Sequence, residues 1–293
     1  MLCLSLHAAD TFRVATYNLN NYLAQPSGTR PAKTPEARMK IRESIRAMRP
    51  DVLALQEIGG PEVLAELRES LRQEGLDFPH WEHVAGWDTN IHVAVLSRLP
   101  IVARRPHTND SYLLGGRRLH VSRGFAEVDI QVNARYSFTL FVCHLKSRRT
   151  VAEADESDMR QQEARILREK INTRLAAASG ANIVVAGDFN DVFSSPTVRE
   201  ISGRGRNALV DTRPAERNGD PPTVASSSRN PSNVTWTHFY AKEDTYSRID
   251  YLMLSPGMAR EWQPDETRVL SQPGWGTGSD HRPIVAEFKA EDR

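Results

Sequence analysis

Polar residues recur in this 293-residue chain wherever an apolar run stops. Asn18 and Asn20 follow Val14-Ala15-Thr16-Tyr17, Gln56-Glu57 closes Val52-Leu53-Ala54-Leu55, and His144-Leu145-Lys146 closes Leu140-Phe141-Val142-Cys143. Gly187-Asp188-Phe189-Asn190-Asp191 closes Ile183-Val184-Val185-Ala186. Ser279-Asp280-His281 stands just before Pro283-Ile284-Val285, with Arg248-Ile249-Asp250-Tyr251 well upstream. These types suit cation binding and proton transfer: carboxylates and amides offer hard oxygen donors, and imidazole titrates near neutrality. Taken singly, each has an ordinary explanation as a turn former, helix cap, solvated strand end or hydrogen-bonded histidine. The set carries the signal: carboxylates, amides and two histidines, all at strand ends and in one order along the chain.

Such residues work together only if the strands end together. Runs 12–19, 51–56, 92–97, 124–132, 136–144, 182–186, 248–254 and 283–288 read as strands, the fourth alternating Phe125, Val128 and Ile130 with Glu127 and Asp129 as a half-exposed strand does. Between them, 36–48 sets Ile41, Ile45 and Met48 at helical spacing behind Pro35. A second helix over 61–72 carries Val63, Leu64, Leu67 and Leu71 on one face, and 155–178 is a long charged helix ending before Gly180. The Pro-, Ser- and Asn-rich stretch 213–233 reads as a loop inserted in one domain over 10–290, not as a linker between two.

Together the motifs Thr16-Tyr17-Asn18-Leu19-Asn20, Gln56-Glu57, His144-Leu145-Lys146-Ser147, Gly187-Asp188-Phe189-Asn190, Arg248-Ile249-Asp250-Tyr251 and Ser279-Asp280-His281-Arg282-Pro283 resemble the endonuclease/exonuclease/phosphatase superfamily. That superfamily includes deoxyribonuclease I, AP endonucleases, neutral sphingomyelinases and inositol polyphosphate 5-phosphatases. The resemblance implies an α/β (α+β) fold of the deoxyribonuclease I type, a four-layer α/β/β/α sandwich with two mixed β-sheets and helices outside. It also implies a metal-dependent phosphodiesterase site at one rim, in which water attacks phosphorus in line.

By the same resemblance Glu57 and Asp280 are ligands for Mg²⁺, with Mn²⁺ or Ca²⁺ as alternatives, Asn20 adds an amide oxygen, and Asn18 orients them from beside. His281 acts as base or phosphate contact with Asp250 on its other ring nitrogen, Asp188 positions the water, Asn190 donates to the phosphate, and His144 contacts it from the other side. The base is left open between Asp188 and His281. Arg123 matches an arginine near the substrate phosphate, and Lys146, Trp236 and Trp275 complete the expected substrate contacts, Trp275 as a surface for a base or a lipid. The expected activity is that of a nuclease on DNA or RNA. The alternatives are a phospholipid or small phosphate-ester hydrolase, and a catalytically silent binding protein on the same scaffold. The residues Asp191-Val192-Phe193 and Arg248-Ile249-Asp250 depart from inositol phosphatases, and Ile58-Gly59-Gly60 departs from AP endonucleases.

Bulk properties narrow the rest. With 38 basic against 37 acidic residues the chain is no polyanion-coating protein, so nucleic-acid affinity must be local. Between 98 and 123, Arg98, Arg104, Arg105, Arg117, Arg118 and Arg123 face only Asp110, a stretch suited to a phosphate backbone or simply a solvated loop. Mean hydropathy of −0.51 and the shortness of every apolar run exclude a polytopic membrane protein. Cys3 and Cys143 exclude a disulfide scaffold, and Cys143 reads as a quiet core thiol. Residues 1–9 read either as the remnant of an export signal, giving a secreted or periplasmic protein, or as a frayed tail on a cytoplasmic one. The expected partners are nucleic acid or another phosphodiester, with no stable membrane insertion, and a monomer is expected.

Overall fold

Neighbouring residues of the central strands go to different hydrophobic clusters, and this sets the layering. Val14, Val128, Leu140, Val184, Leu252 and Ile284 share one cluster. Ala15, Leu53, Leu55 and Val285 join Ile41, Ile45, Leu64 and Leu67 in a second. Phe141, Cys143, Val185 and Tyr251 join Ala164, Leu167, Ile171 and Val198 in a third. Because successive side chains leave a strand on opposite faces, these strands are covered on both sides, which is why they read as nearly unbroken apolar runs. The structure is a computed structural model, described for residues 11–178, 180–216 and 235–291.

One sheet runs Ala215–Glu216, Trp262–Val269, Ile284–Lys289, Thr11–Tyr22, Val52–Ile58, His92–Ser97, His80–Val84, in that spatial order. The other runs Val210–Asp211, Asp250–Leu254, Ile183–Asp188, Tyr136–His144, Phe125–Asn133, Ile101–Arg104. Both are mixed: Thr11–Tyr22 is parallel to Val52–Ile58 and antiparallel to Ile284–Lys289, and Ile183–Asp188 is parallel to Tyr136–His144 and antiparallel to Asp250–Leu254. The first cluster fills the space between the sheets. The helices Pro35–Met48 and Pro61–Gln73 cover one outer face, and Glu156–Ala177 with Pro196–Ser202 the other, giving the four-layer sandwich.

Local signals explain the helix ends. Thr34 accepts from Ala37 N–H at 3.2 Å with Pro35 in the first turn, and Asp155 accepts from Ser157 and Asp158 N–H at the start of the long helix. Two expectations are corrected. Glu127 is buried, because Arg105, His107 and Arg174 close over its carboxylate, so its strand is not half-exposed at that point. Ala215–Glu216 is an edge strand paired with Arg268 and Val269, so the loop expected from 213 starts later. Most of that loop, 217–234, and the expected signal remnant 1–9 lie outside the described residues. Cys143 is fully buried, and burial raises its thiol well above the ordinary range. Among the described residues no helix is long and apolar enough to cross a membrane.

Candidate active site

Strand register places the central groups. Asp188 pairs across the ladder with Asp250 on one side and His144 on the other, so all three stand on one rung at the same end of the sheet. Gly187 sets that rung at φ +142°, and a Cβ there would stand 1.9 Å from the Cys143 carbonyl oxygen, so only glycine allows the close pairing. Asn18, at the end of Thr11–Tyr22, reaches across from the other sheet: its Nδ2 donates to Asp188 Oδ2 at 3.0 Å and lies 3.4 Å from Glu57 Oε1. Glu57 sits at φ +60°, where the register of its strand shifts, and this bulge turns its carboxylate onto Asn21 N–H at 2.8 Å. Asn20, Asn21 and Asn190 are also left-handed, so backbone strain concentrates around the site.

His281 is held through one ring nitrogen. Nδ1 pairs with Asp250 Oδ2 at 2.8 Å, while Nε2 stands 3.8 Å from both Asp188 Oδ2 and Asp280 Oδ1. Burial works to lower its pKa, but the charges of Asp250, Asp188 and Asp280 together outweigh it and raise it to about 10. Asp188 is raised to about 7 by burial and by the nearby Asp250 charge, against His281 and the Asn190 N–H at 2.7 Å. His144 is the opposite case: burial, reinforced by Arg123, His281 and Arg30, keeps it neutral, with Nε2 3.6 Å from Asp188 and 3.8 Å from Glu57. The site therefore holds one imidazole biased to carry a proton and one biased to lack it.

The donor chemistry fits a hard divalent cation. Glu57 and Asp280 are carboxylates with free lone pairs, and buried Asp250 Oδ1 has no hydrogen-bond partner among the described residues. Asp188, Asp250 and His281 place ligand atoms within 4.8 Å of one another, as do His238, Asp280 and His281. Burial lowers the Lys33 ammonium to about 8, while the Asp280 and Glu57 charges work to raise it. Asn18 Oδ1 accepts from Asn20 N–H at 3.0 Å, in keeping with an orienting role from beside the ligands, and Asn20 Oδ1 accepts from Asn21 Nδ2 at 3.0 Å, which leaves that oxygen a second lone pair for a cation.

Among the expected substrate contacts, Arg123 lies beside the loop that follows His144. It is buried, 3.8 Å from Asp88, and its Nη1 is 3.4 Å from the Leu145 carbonyl, to which Asn190 Nδ2 donates at 3.0 Å. Lys146 is folded onto its own loop, Nζ donating to the carbonyls of Ser147 and Arg149, so it serves as a loop clamp. Trp236 lies under the Arg282 guanidinium at 3.4 Å and against Trp275 at 5.3 Å, a packing role for the first ring. Trp275 lines a cavity of about 590 Å³ with Phe239, Tyr240, Lys242 and Asp280. A larger cleft, about 650 Å³, lies between the outer helices and contains none of these residues.

Three arginines of the basic stretch are paired with carboxylates from outside it. Arg98 pairs with Asp51, Arg104 with Glu82, and Arg105 with Glu127 and Asp129. Sequence reasoning missed Arg30, Lys33, Asn21, Thr237 and His238. His238 packs tilted against His281, ring centroids 4.5 Å apart and planes 43° from parallel, and Thr237 Oγ1 accepts from Ile249 and Asp250 N–H at 3.2 Å. His238 follows Trp236 by two residues, the one local signal that was available; Arg30 and Lys33 sit in a loop with none.

Comparison with known proteins agrees with this arrangement. The family model described as Endonuclease/Exonuclease/phosphatase family matches residues 15–281. Among solved structures, the human Nocturnin catalytic domain is similar at TM-score 0.66 and 18% identity, covering 96% of this chain and 95% of that one. Sphingomyelinase C from Streptomyces griseocarneus gives 0.63 and 17%, covering 96% and 100%. Truncated TDP2 from Caenorhabditis elegans gives 0.59 and 16%, covering 96% and 98%. At these identities the structural likeness speaks for the fold. Comparison with curated protein sequences gives no match.

Proposed function

The chain belongs to the endonuclease/exonuclease/phosphatase family, and from that premise we propose that it is a phosphodiesterase acting on nucleic acid. Enzymes of this family are phosphoester hydrolases that depend on a divalent metal. The observation that carries the nucleic-acid reading is the aromatic cavity beside Asp280, where Phe239, Tyr240 and Trp275 offer flat apolar surface and Lys242 a cation. A base beside a scissile phosphate needs both.

Glu57 and Asp280 would hold the divalent ion, which when bound neutralises phosphate charge and polarises the phosphoryl oxygen. Asp250 fixes the His281 tautomer, so Nε2 is presented to the reacting phosphate beside Asp188. Asp188, held by Asn18 and Asn190, orients the water; a carboxyl raised to about 7 is matched to accepting its proton at neutral pH. Neutral His144 and the Arg123 guanidinium line the other side of the phosphate, donating to its oxygens.

A lipid reading draws on Tyr240 and Tyr246, exposed on the hairpin beside the cavity. One panel separates the two: single- and double-stranded DNA, RNA, sphingomyelin vesicles and bis-p-nitrophenyl phosphate, each with Mg²⁺, Mn²⁺ or Ca²⁺ and with EDTA. Metal-dependent cleavage of DNA or RNA is expected. Cleavage of sphingomyelin or the small diester without nucleic acid would overturn the substrate and keep the chemistry.

A further inference from the structure

We infer that Trp87, stacked on His120, is a base-stacking platform for single-stranded nucleic acid on the Arg123 side of the site. The inference rests on the nucleic-acid reading above and adds a second contact region to it.

Trp87 is 68% exposed, an unusual state for a tryptophan, yet its ring is fixed: it lies on the His120 imidazole with centroids 4.1 Å apart and planes 5° from parallel. One face is covered, and the exposure leaves the other to solvent. The loop carrying Trp87 is locked to the site. Gly86 packs so closely on Arg123 that a Cβ would stand 2.3 Å from its carbonyl carbon. Asp88 N–H donates to the Ser122 carbonyl at 2.6 Å, and the Asp88 carboxylate sits between Arg30 at 3.0 Å and Arg123 at 3.8 Å. Arg123 Nε is buried with no hydrogen-bond partner among the described residues, its ion-pair partner Asp88 Oδ2 standing 3.8 Å away, beyond hydrogen-bond reach.

Cations continue past the platform. The hairpin that ends at His120 carries Arg117 and Arg118, and among the described residues neither has a carboxylate within ion-pair distance; Arg118 donates to Ser111 Oγ. The unpaired charge of the basic stretch thus lies on the hairpin that carries His120. Arg30 and Arg123 share Asp88, the residue after Trp87, and Arg118 lies two residues from His120 on the same face of its strand.

Strand order gives the span. The aromatic cavity lies at the Asp250 and Asp280 side, whereas Arg123 precedes Phe125–Asn133, three strands further along the same sheet. At roughly 4.8 Å per strand this is about 14 Å. That is about four times the roughly 3.4 Å rise per nucleotide of one strand in duplex DNA, so a single strand, which extends further per nucleotide, crosses it with a few nucleotides. A polynucleotide laid across the rim contacts aromatic surface on both sides of the scissile phosphate, and only an unpaired base offers its face to Trp87. A membrane is the weaker fit, because an inserting ring buries both faces in acyl chains and here one face is already given to a polar imidazole.

The test is fluorescence anisotropy of a fluorescein-labelled oligodeoxythymidylate with Mg²⁺, in a His281→Asn background that arrests turnover. Adding Trp87→Ala should weaken binding about tenfold or more, and Trp87→Phe should recover most of it, since a base–aromatic stack is worth roughly 1–3 kcal/mol. Melting curves check that each variant folds. If the oligonucleotide binds and Trp87→Ala leaves its affinity unchanged, the platform is refuted while the nucleic-acid reading stands. If wild type cleaves bis-p-nitrophenyl phosphate but neither cleaves nor binds nucleic acid, that reading falls and the platform with it. Loss of binding to phosphatidylserine vesicles on Trp87→Ala, without change toward the oligonucleotide, would make the ring a membrane contact and refute the proposal.

Discussion

Asp250 Oδ2 lies 2.8 Å from His281 Nδ1, while Asp250 Oδ1 is buried and has no hydrogen-bond partner among the described residues. One carboxylate oxygen thus orients the imidazole and the other stays available, an arrangement that stabilises an imidazolium without consuming the whole anion.

Replacing Asp250 by Asn should therefore cost activity through His281. An amide can hold the ring with the wrong nitrogen protonated, and kcat should fall by about 10²–10⁴ with little change in melting temperature. Single-turnover rates on bis-p-nitrophenyl phosphate, with near-UV circular dichroism as the fold check, decide it. A variant within tenfold of wild type would remove His281 from proton transfer.

Chelation should abolish hydrolysis and lower stability together. Ligands that bind the folded state alone stabilise it by mass action, so Mg²⁺ or Mn²⁺ should raise the melting temperature of EDTA-treated protein. Glu57→Gln should lose most of that rise. An undiminished rise would place the ion elsewhere.

Gly187→Ala should be among the most damaging small substitutions in the chain. Its Cβ would overlap the Cys143 carbonyl oxygen, and the backbone is already left-handed. We expect a loss of about 3 kcal/mol or more, read by urea unfolding, because two central strands must part. A loss below about 1 kcal/mol would mean that the ladder yields.

His92, across the ladder from Ile58, supplies a pH signature. Burial first, then the neighbouring His83, lowers its pKa from 6.5, and its Nδ1 has no hydrogen-bond partner among the described residues. The folded state prefers the neutral ring, so its contribution is fully present above the unfolded pKa and is lost as pH falls below about 6.5. Wild type should lose melting temperature faster than His92→Phe between about pH 7 and 5. Parallel curves would contradict the assignment.

The strand ends were legible because the apolar runs break at polar residues: Val184-Val185-Ala186 stops at Gly187-Asp188, and Leu53-Ala54-Leu55 stops at Gln56-Glu57. The edge strands were not. His80–Val84 alternates Trp81 and Val84 with His80, Glu82 and His83, and Trp262–Val269 carries Asp265 and Glu266, so neither holds an apolar run. Arg30, Lys33 and Trp87 come from loops whose partners lie far along the chain, Asp88 being 58 residues beyond Arg30. No local pattern encodes such contacts. Lys146 and Trp236 show the converse: their neighbourhood in sequence is catalytic, but carbonyl oxygens and a guanidinium claim their side chains.

The rung that joins His144, Asp188 and Asp250, closed by the Ser279 hydroxyl on the Asn18 carbonyl 261 residues away, also bears on how activity returns after denaturation. No contiguous segment holds the whole rung, and non-local pairings form late and slowly. Helical signal should recover first, and enzymatic turnover should reappear only with the final cooperative phase. Turnover in this protein is thus a clock for completed folding.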